Sequence, residues 1–141
     1  MRQIKACGVF IIKGNPVDEF LLMIHPDRLD VPKGHVDPGE SEMECALREL
    51  QEETGISEQD ITMLPDFRFT LEYNVKPKRF GYEECHKTLV VFLGRLNQPD
   101  QPIVVTEHEG FRWEKWNPPH KIQELTIDPL LNYTEQFFAG K

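Results

Sequence analysis

Glu49, Glu52 and Glu53 fall at i, i+3 and i+4 in the run Arg48-Glu49-Leu50-Gln51-Glu52-Glu53. On a helix, at about 100° per residue, that spacing sets three carboxylates on one face. Neighbouring like charges repel there by roughly a few tenths of a kcal/mol per pair. Helix stability alone would favour lysines among them, and none is present. A solvated acidic face is one reading of this triad, and a face turned toward a cation is the other. Mg²⁺, with Mn²⁺ as a substitute, is the natural cation, because hard divalent ions prefer carboxylate oxygen.

The surrounding charge sharpens the question. The 141-residue chain carries 24 Asp and Glu against 16 Lys and Arg, a formal net charge of −8. Residues 37–60 hold nine of those acids and a single base, Arg48, so the other 117 residues balance at 15 against 15. The whole excess lies in one segment. Such a balance argues against broad binding to nucleic acid or to an anionic membrane, both of which need a basic face. No apolar run approaches the ~20 residues of a membrane-spanning helix. Cys7, Cys45 and Cys85 are odd in number and lack CxxC spacing, so the expectation is free thiols, a reducing compartment and a cytoplasmic location. Oligomeric state leaves no mark in the sequence.

The elements that must hold the triad are legible around it. Ser41 with Glu44 forms a capping box, Gly55 suits a helix stop, and Met43, Ala46, Leu47 and Leu50 form one apolar stripe; a helix is predicted over 41–54. Residues 26–40, with Pro26, Pro32, Gly34, Pro38 and Gly39, read as a shaped loop. Strands are expected at 3–13, 19–25, 67–74, 87–96, 103–106 and 111–116. A closing helix is expected after Asp128 as cap and Pro129 as its first residue. With no repeat or linker, residues 1–141 read as one domain of α/β (α+β) class, a mixed β-sheet between helices with the chemistry on a loop and helix at 33–55.

The spacing of that loop and helix carries a family resemblance. Gly34, Glu40, Arg48, Glu49, Leu50, Glu52, Glu53, Gly55 and Ile56 fit G-x5-E-x7-R-E-U-x-E-E-x-G-U at every specified position, U being a bulky aliphatic. The segment thus resembles the Nudix box, and the order of strands around it is similar to the Nudix fold. The resemblance implies a metal-dependent hydrolase of a nucleoside diphosphate linked to another group. It implies that Glu49, Glu52 and Glu53 hold Mg²⁺, that the Gly34 carbonyl joins them, and that Arg48 holds the box carboxylates in place. Glu40 would be an outer-shell ligand or part of that support. Glu49 or an acid from a later loop would be the general base.

Two flanking motifs narrow the resemblance. Pro32-Lys33-Gly34-His35 and Glu107-His108-Glu109-Gly110-Phe111-Arg112-Trp113 are similar to the P-K-G-H and E-H-x-x-Y/F-R-W of asymmetric diadenosine tetraphosphate hydrolases. By that likeness Glu107 is a further metal ligand, Lys33 and Lys87 meet phosphate, and His35 sits at the same rim. Phe111 and Tyr73 would line the nucleotide cleft. The chain departs from the pattern at Leu29-Asp30-Val31, where similar enzymes carry a Trp, so one base platform must be missing or supplied from elsewhere. The expected reaction is cleavage of diadenosine tetraphosphate to ATP and AMP. The alternative is a housecleaning nucleoside triphosphate pyrophosphohydrolase releasing a monophosphate and pyrophosphate.

Overall fold

The computed structural model describes residues 1–106 and 110–140. Eight strands form one mixed sheet: β1 (Arg2–Lys13), β2 (Glu19–Ile24), β3 (Leu29–Asp30), β4 (Lys33–His35), β5 (Ile61–Met63), β6 (Phe69–Val75), β7 (Cys85–Leu96) and β8 (Gly110–Lys115). Two helices, α1 (Glu42–Thr54) and α2 (Ile127–Ala139), cover its faces. Among the described residues no helix is long and apolar enough to cross a membrane.

β1 explains the layering. Its run Ala6–Ile12 is apolar without alternation because both faces are covered. Cys7, Val9 and Ile11 pack with Cys45, Ala46 and Leu50 of α1, whereas Ala6, Phe10 and Ile12 pack with Leu130 and Leu131 of α2. Leu50 is fully buried, so truncating it to Ala would cost about 2–5 kcal/mol.

One edge of β1 runs parallel to β7 from Arg2↔Cys85 to Ile12↔Arg95. The other edge is divided, with β4 antiparallel at Ala6–Gly8 and β2 antiparallel at Ile12–Lys13. The β4 segment is therefore held against the sheet directly before α1.

α1 forms as its ends dictate. Ser41 Oγ accepts from the Glu44 N–H at 3.1 Å, and Glu44 Oε1 accepts from the Ser41 N–H at 2.8 Å. Gly55 ends the helix at φ 76°, a left-handed value that costs glycine little.

Several expectations are revised. The loop 26–40 contains β3 and β4, two pairings too short to leave a period in the sequence. Residues 103–106 form no strand: Val104 N–H donates to the Thr54 carbonyl at 2.8 Å, and Thr106 Oγ1 to the Glu52 carbonyl at 2.7 Å. That segment satisfies the end of α1 instead of a sheet edge. β5 went unread from the sequence. α2 starts one residue before Asp128, whose Oδ1 accepts from the N–H groups of Ile122 and Gln123. Gln123 Oε1 takes the N–H groups of Thr126 and Ile127 and so caps the helix.

Candidate active site

Glu49 and Glu53 occupy the side of α1 that faces β4, whereas Glu52 is exposed and turned onto Arg48. Gly34 pairs with Cys7 on β1, and the Glu49 carboxylate lies where a Cβ on Gly34 would stand. Any larger residue would drive that carboxylate out. Glu53, only 3% exposed, accepts the Lys33 N–H at 3.1 Å. Burial first, and then the Glu49 carboxyl beside it, push Glu53 up to about 9, with Lys33 opposing. Two carboxyls in contact cannot both ionise cheaply away from water, which is the direction of the Glu53 shift.

Arg48 organises the rest. Its Nε and Nη2 fork onto Glu40 at 2.7 and 3.0 Å, and Nη1 reaches Glu49 at 2.9 Å and Glu52 at 3.3 Å. Nη2 also donates to the His35 carbonyl at 3.1 Å, tying the β4 backbone to the helix. The fork, helped by the Asp37 N–H, holds the Glu40 carboxyl down to about 2. Glu40 therefore supports Arg48 and stays ionised at neutral pH.

The donor set suits a hard divalent cation. Glu49 and Glu53 offer oxygen only, they repel one another, and the absent side chain of Gly34 leaves room beside them. Among the described residues no three Asp, Glu, His or Cys side chains converge on one point, and Glu52 is turned onto Arg48. The Gly34 carbonyl accepts from the Cys45 thiol at 3.3 Å. Glu107 lies outside the described residues, although Thr106, its neighbour in sequence, is bonded to the Glu52 backbone.

The other face of the same strands carries cations. Lys33, His35, Tyr73 and Lys87 project there, Tyr73 paired with Lys87 across β6 and β7. A cleft of about 180 Å³ is lined by Arg28, Asp30, Lys33, Tyr73 and Lys87, with Gln123 and Leu125 from the approach to α2. Asp30, 4% exposed, pairs with Lys33 at 3.1 Å and Arg28 at 3.4 Å. Burial and the charges of Lys33 and Arg28, against Asp30, bring Lys87 down to about 8. Burial, then Arg79, Lys87 and Lys33, lower His35 to about 4, so its ring is neutral at pH 7. One buried carboxylate faces several cations, a surplus that suits a polyanion.

Sequence reasoning gave Arg28 and Asp30 no place in the site; the β2–β3 hairpin brings them to this cleft. No spacing marks them. Phe111 lies apart from the cleft. It pairs with Met23, so it shares the α1 side of the sheet with Trp113, and it is 36% exposed.

Comparison with known proteins shows the family and the fold. The NUDIX domain family matches residues 2–136. The bis(5'-nucleosyl)-tetraphosphatase (asymmetrical) of Rattus norvegicus is 37% identical over 121 residues, 78% of each chain. The protein of the same name from Caenorhabditis elegans is 34% identical over 142 residues, 97% of this chain and 98% of that one. A crystal structure described as a C. elegans Ap4A hydrolase binary complex superposes with a TM-score of 0.81 at 32% identity, covering 98% of this chain and 99% of that one.

Proposed function

The chain belongs to the NUDIX family, and on that premise we propose that it cleaves diadenosine tetraphosphate asymmetrically to ATP and AMP. The observation that carries the reading is the adjacency of two sites on one strand. The Lys33 main chain holds Glu53, while its side chain lines the cationic cleft. Relatives named for the same reaction, similar over nearly the whole chain, support it.

Hydrolysis of a phosphoanhydride needs charge neutralised on phosphorus and water brought in line. Mg²⁺, or Mn²⁺ in its place, would be held by Glu49, Glu52 and Glu53, with the Gly34 carbonyl and Glu107 completing the set. When bound, the ion supplies Lewis acidity toward phosphate oxygen and toward water. Arg48 keeps Glu49 and Glu52 in reach of one another, and its grip on the His35 carbonyl keeps β4 in register with the helix. Lys33, Lys87 and Arg28 receive the phosphate chain; a phosphate beside Lys87 offsets the burial and neighbouring charge that lower it. His35, neutral, contributes a ring N–H or lone pair at the rim. Tyr73 borders the same cleft and offers an aromatic face, and Phe111 offers another across the sheet edge. The oxygen of water bonds to a phosphorus near one end, the bridging P–O bond breaks, and ATP and AMP depart. Glu49 or an acid from a later loop takes the proton from water.

A substrate panel in Mg²⁺ with chromatographic product identification tests this. ATP and AMP in equal amounts from the dinucleotide are expected. Turnover confined to nucleoside triphosphates, with monophosphate and pyrophosphate as products, would replace it with the housecleaning reading.

A further inference from the structure

The turn between β6 and β7, residues 76–84, carries Lys76, Lys78 and Arg79 and lies at the end of the strands that hold Tyr73 and Lys87. The last pair of that ladder, Val75↔Cys85, is two residues beyond Tyr73↔Lys87, about 7 Å at strand spacing. A short 3-10 turn at Lys78–Phe80 brings the Phe80 ring to two guanidinium groups. Arg2 lies 4.1 Å and Arg79 4.5 Å from its centroid. Arg2 also meets Glu83 at 3.4 Å, whereas Arg79 has no carboxylate within ion-pair distance among the described residues. The ring holds the Arg79 guanidinium by its face and leaves its in-plane donors free. Arg2 stands on the face of Lys87, two pairs along the β1–β7 register, and Val75 at the end of the ladder lines the cleft, so Arg79 on Phe80 extends the row begun by Lys33 and Lys87. An exposed guanidinium with no carboxylate partner among the described residues keeps its donors available to an incoming anion.

We propose that Arg79, seated on Phe80, binds the phosphates farthest from the box carboxylates and so sets the polyphosphate length that the protein prefers. The inference rests on the polyphosphate reading above and adds a length-reading residue to it.

Calorimetric binding of inorganic pyrophosphate, tripolyphosphate and tetrapolyphosphate in Mg²⁺ buffer tests it without turnover. Wild-type affinity should rise with length. Arg79→Ala should lose about tenfold for tetrapolyphosphate, the scale of one charge-assisted contact, and less than about twofold for pyrophosphate. Arg79→Lys, which keeps the charge but not the planar fork, should fall between. Lys76→Ala removes the same charge from the same loop and should leave the length dependence intact. Equal losses at every length in Arg79→Ala, no loss, or an equal effect of Lys76→Ala would overturn the proposal. Hydrolysis of diadenosine tetraphosphate by the wild type, measured alongside, separates the two readings. Absent hydrolysis with Arg79-dependent binding sinks the assigned reaction alone, and hydrolysis with Arg79-independent binding sinks this inference alone.

Discussion

The carboxylate of Glu49 lies in the space that a side chain on Gly34 would fill. The strand and the helix are therefore fitted around a missing methyl group, and chemistry is placed where packing would otherwise be. Gly34→Ala should leave stability within about 1 kcal/mol, because the atoms its Cβ meets are the far end of a flexible side chain, and should displace Glu49 from the site. Urea titration would read the first effect and Mg²⁺-dependent turnover the second. Wild-type activity in this variant would show that Glu49 needs no such seat.

Glu53→Gln keeps the shape of a buried side chain and removes its ability to ionise. Turnover should fall by at least about a hundredfold, the scale on which one transition-state contact reads. Secondary structure by circular dichroism should be unchanged. Full activity in the variant would remove Glu53 from the metal site.

Arg48→Lys retains charge but cannot form the fork on Glu40 while also reaching Glu49 and the His35 carbonyl. We expect kcat to drop by about 10–100-fold, as for other residues that orient metal ligands, with KM little changed. A rise in KM alone would place Arg48 on the substrate instead.

Mg²⁺ should stabilise the fold by mass action, by about 2.7 kcal/mol at a hundred times its Kd. Thermal unfolding with and without the ion would measure it, and Glu53→Gln should blunt the shift. A melting temperature indifferent to saturating Mg²⁺ would contradict the carboxylate site.

Glu42 sets an acid limit on stability. Arg68 and Lys5 hold its carboxyl down to about 2 in the folded chain. The pKa is lower folded than unfolded, so this contribution is present above the ordinary carboxylate value of about 4.3. It is lost as pH falls from there through about 2. Arg68 is half exposed, which limits the contribution to about 1 kcal/mol. Chemical denaturation between pH 2 and 7 should show a shallower acid slope in Glu42→Gln.

The box helix was legible because its signals are local: Ser41, Glu44, the apolar stripe and Gly55 all act within about one turn of where they stand. Arg48 as the holder of the carboxylates was legible through resemblance, and four carboxylates within 3.4 Å of it are the physical form of that role. What escaped depends on the far partner. Ile103-Val104-Val105-Thr106 has the composition of a strand, yet the backbone of Val104 finds a helix end. Arg28 and Asp30 carry no pattern, because the hairpin that brings them to Lys33 rests on two residue pairs. Gln123 is a cap by reach across a turn, which preference tables for Ser, Thr, Asp and Asn do not include.

The two-sided burial of β1 decides where a substitution is felt. Odd-numbered positions from Cys7 to Ile11 support the helix with the carboxylates, and even-numbered ones from Ala6 to Ile12 lie on the side of the cationic cleft. A substitution on the cleft side therefore meets a different core cluster from the one behind the box helix. β4 joins the two sides, because the Lys33 main chain bonds Glu53 while its side chain lines the cleft, so a change at Lys33 is felt on both.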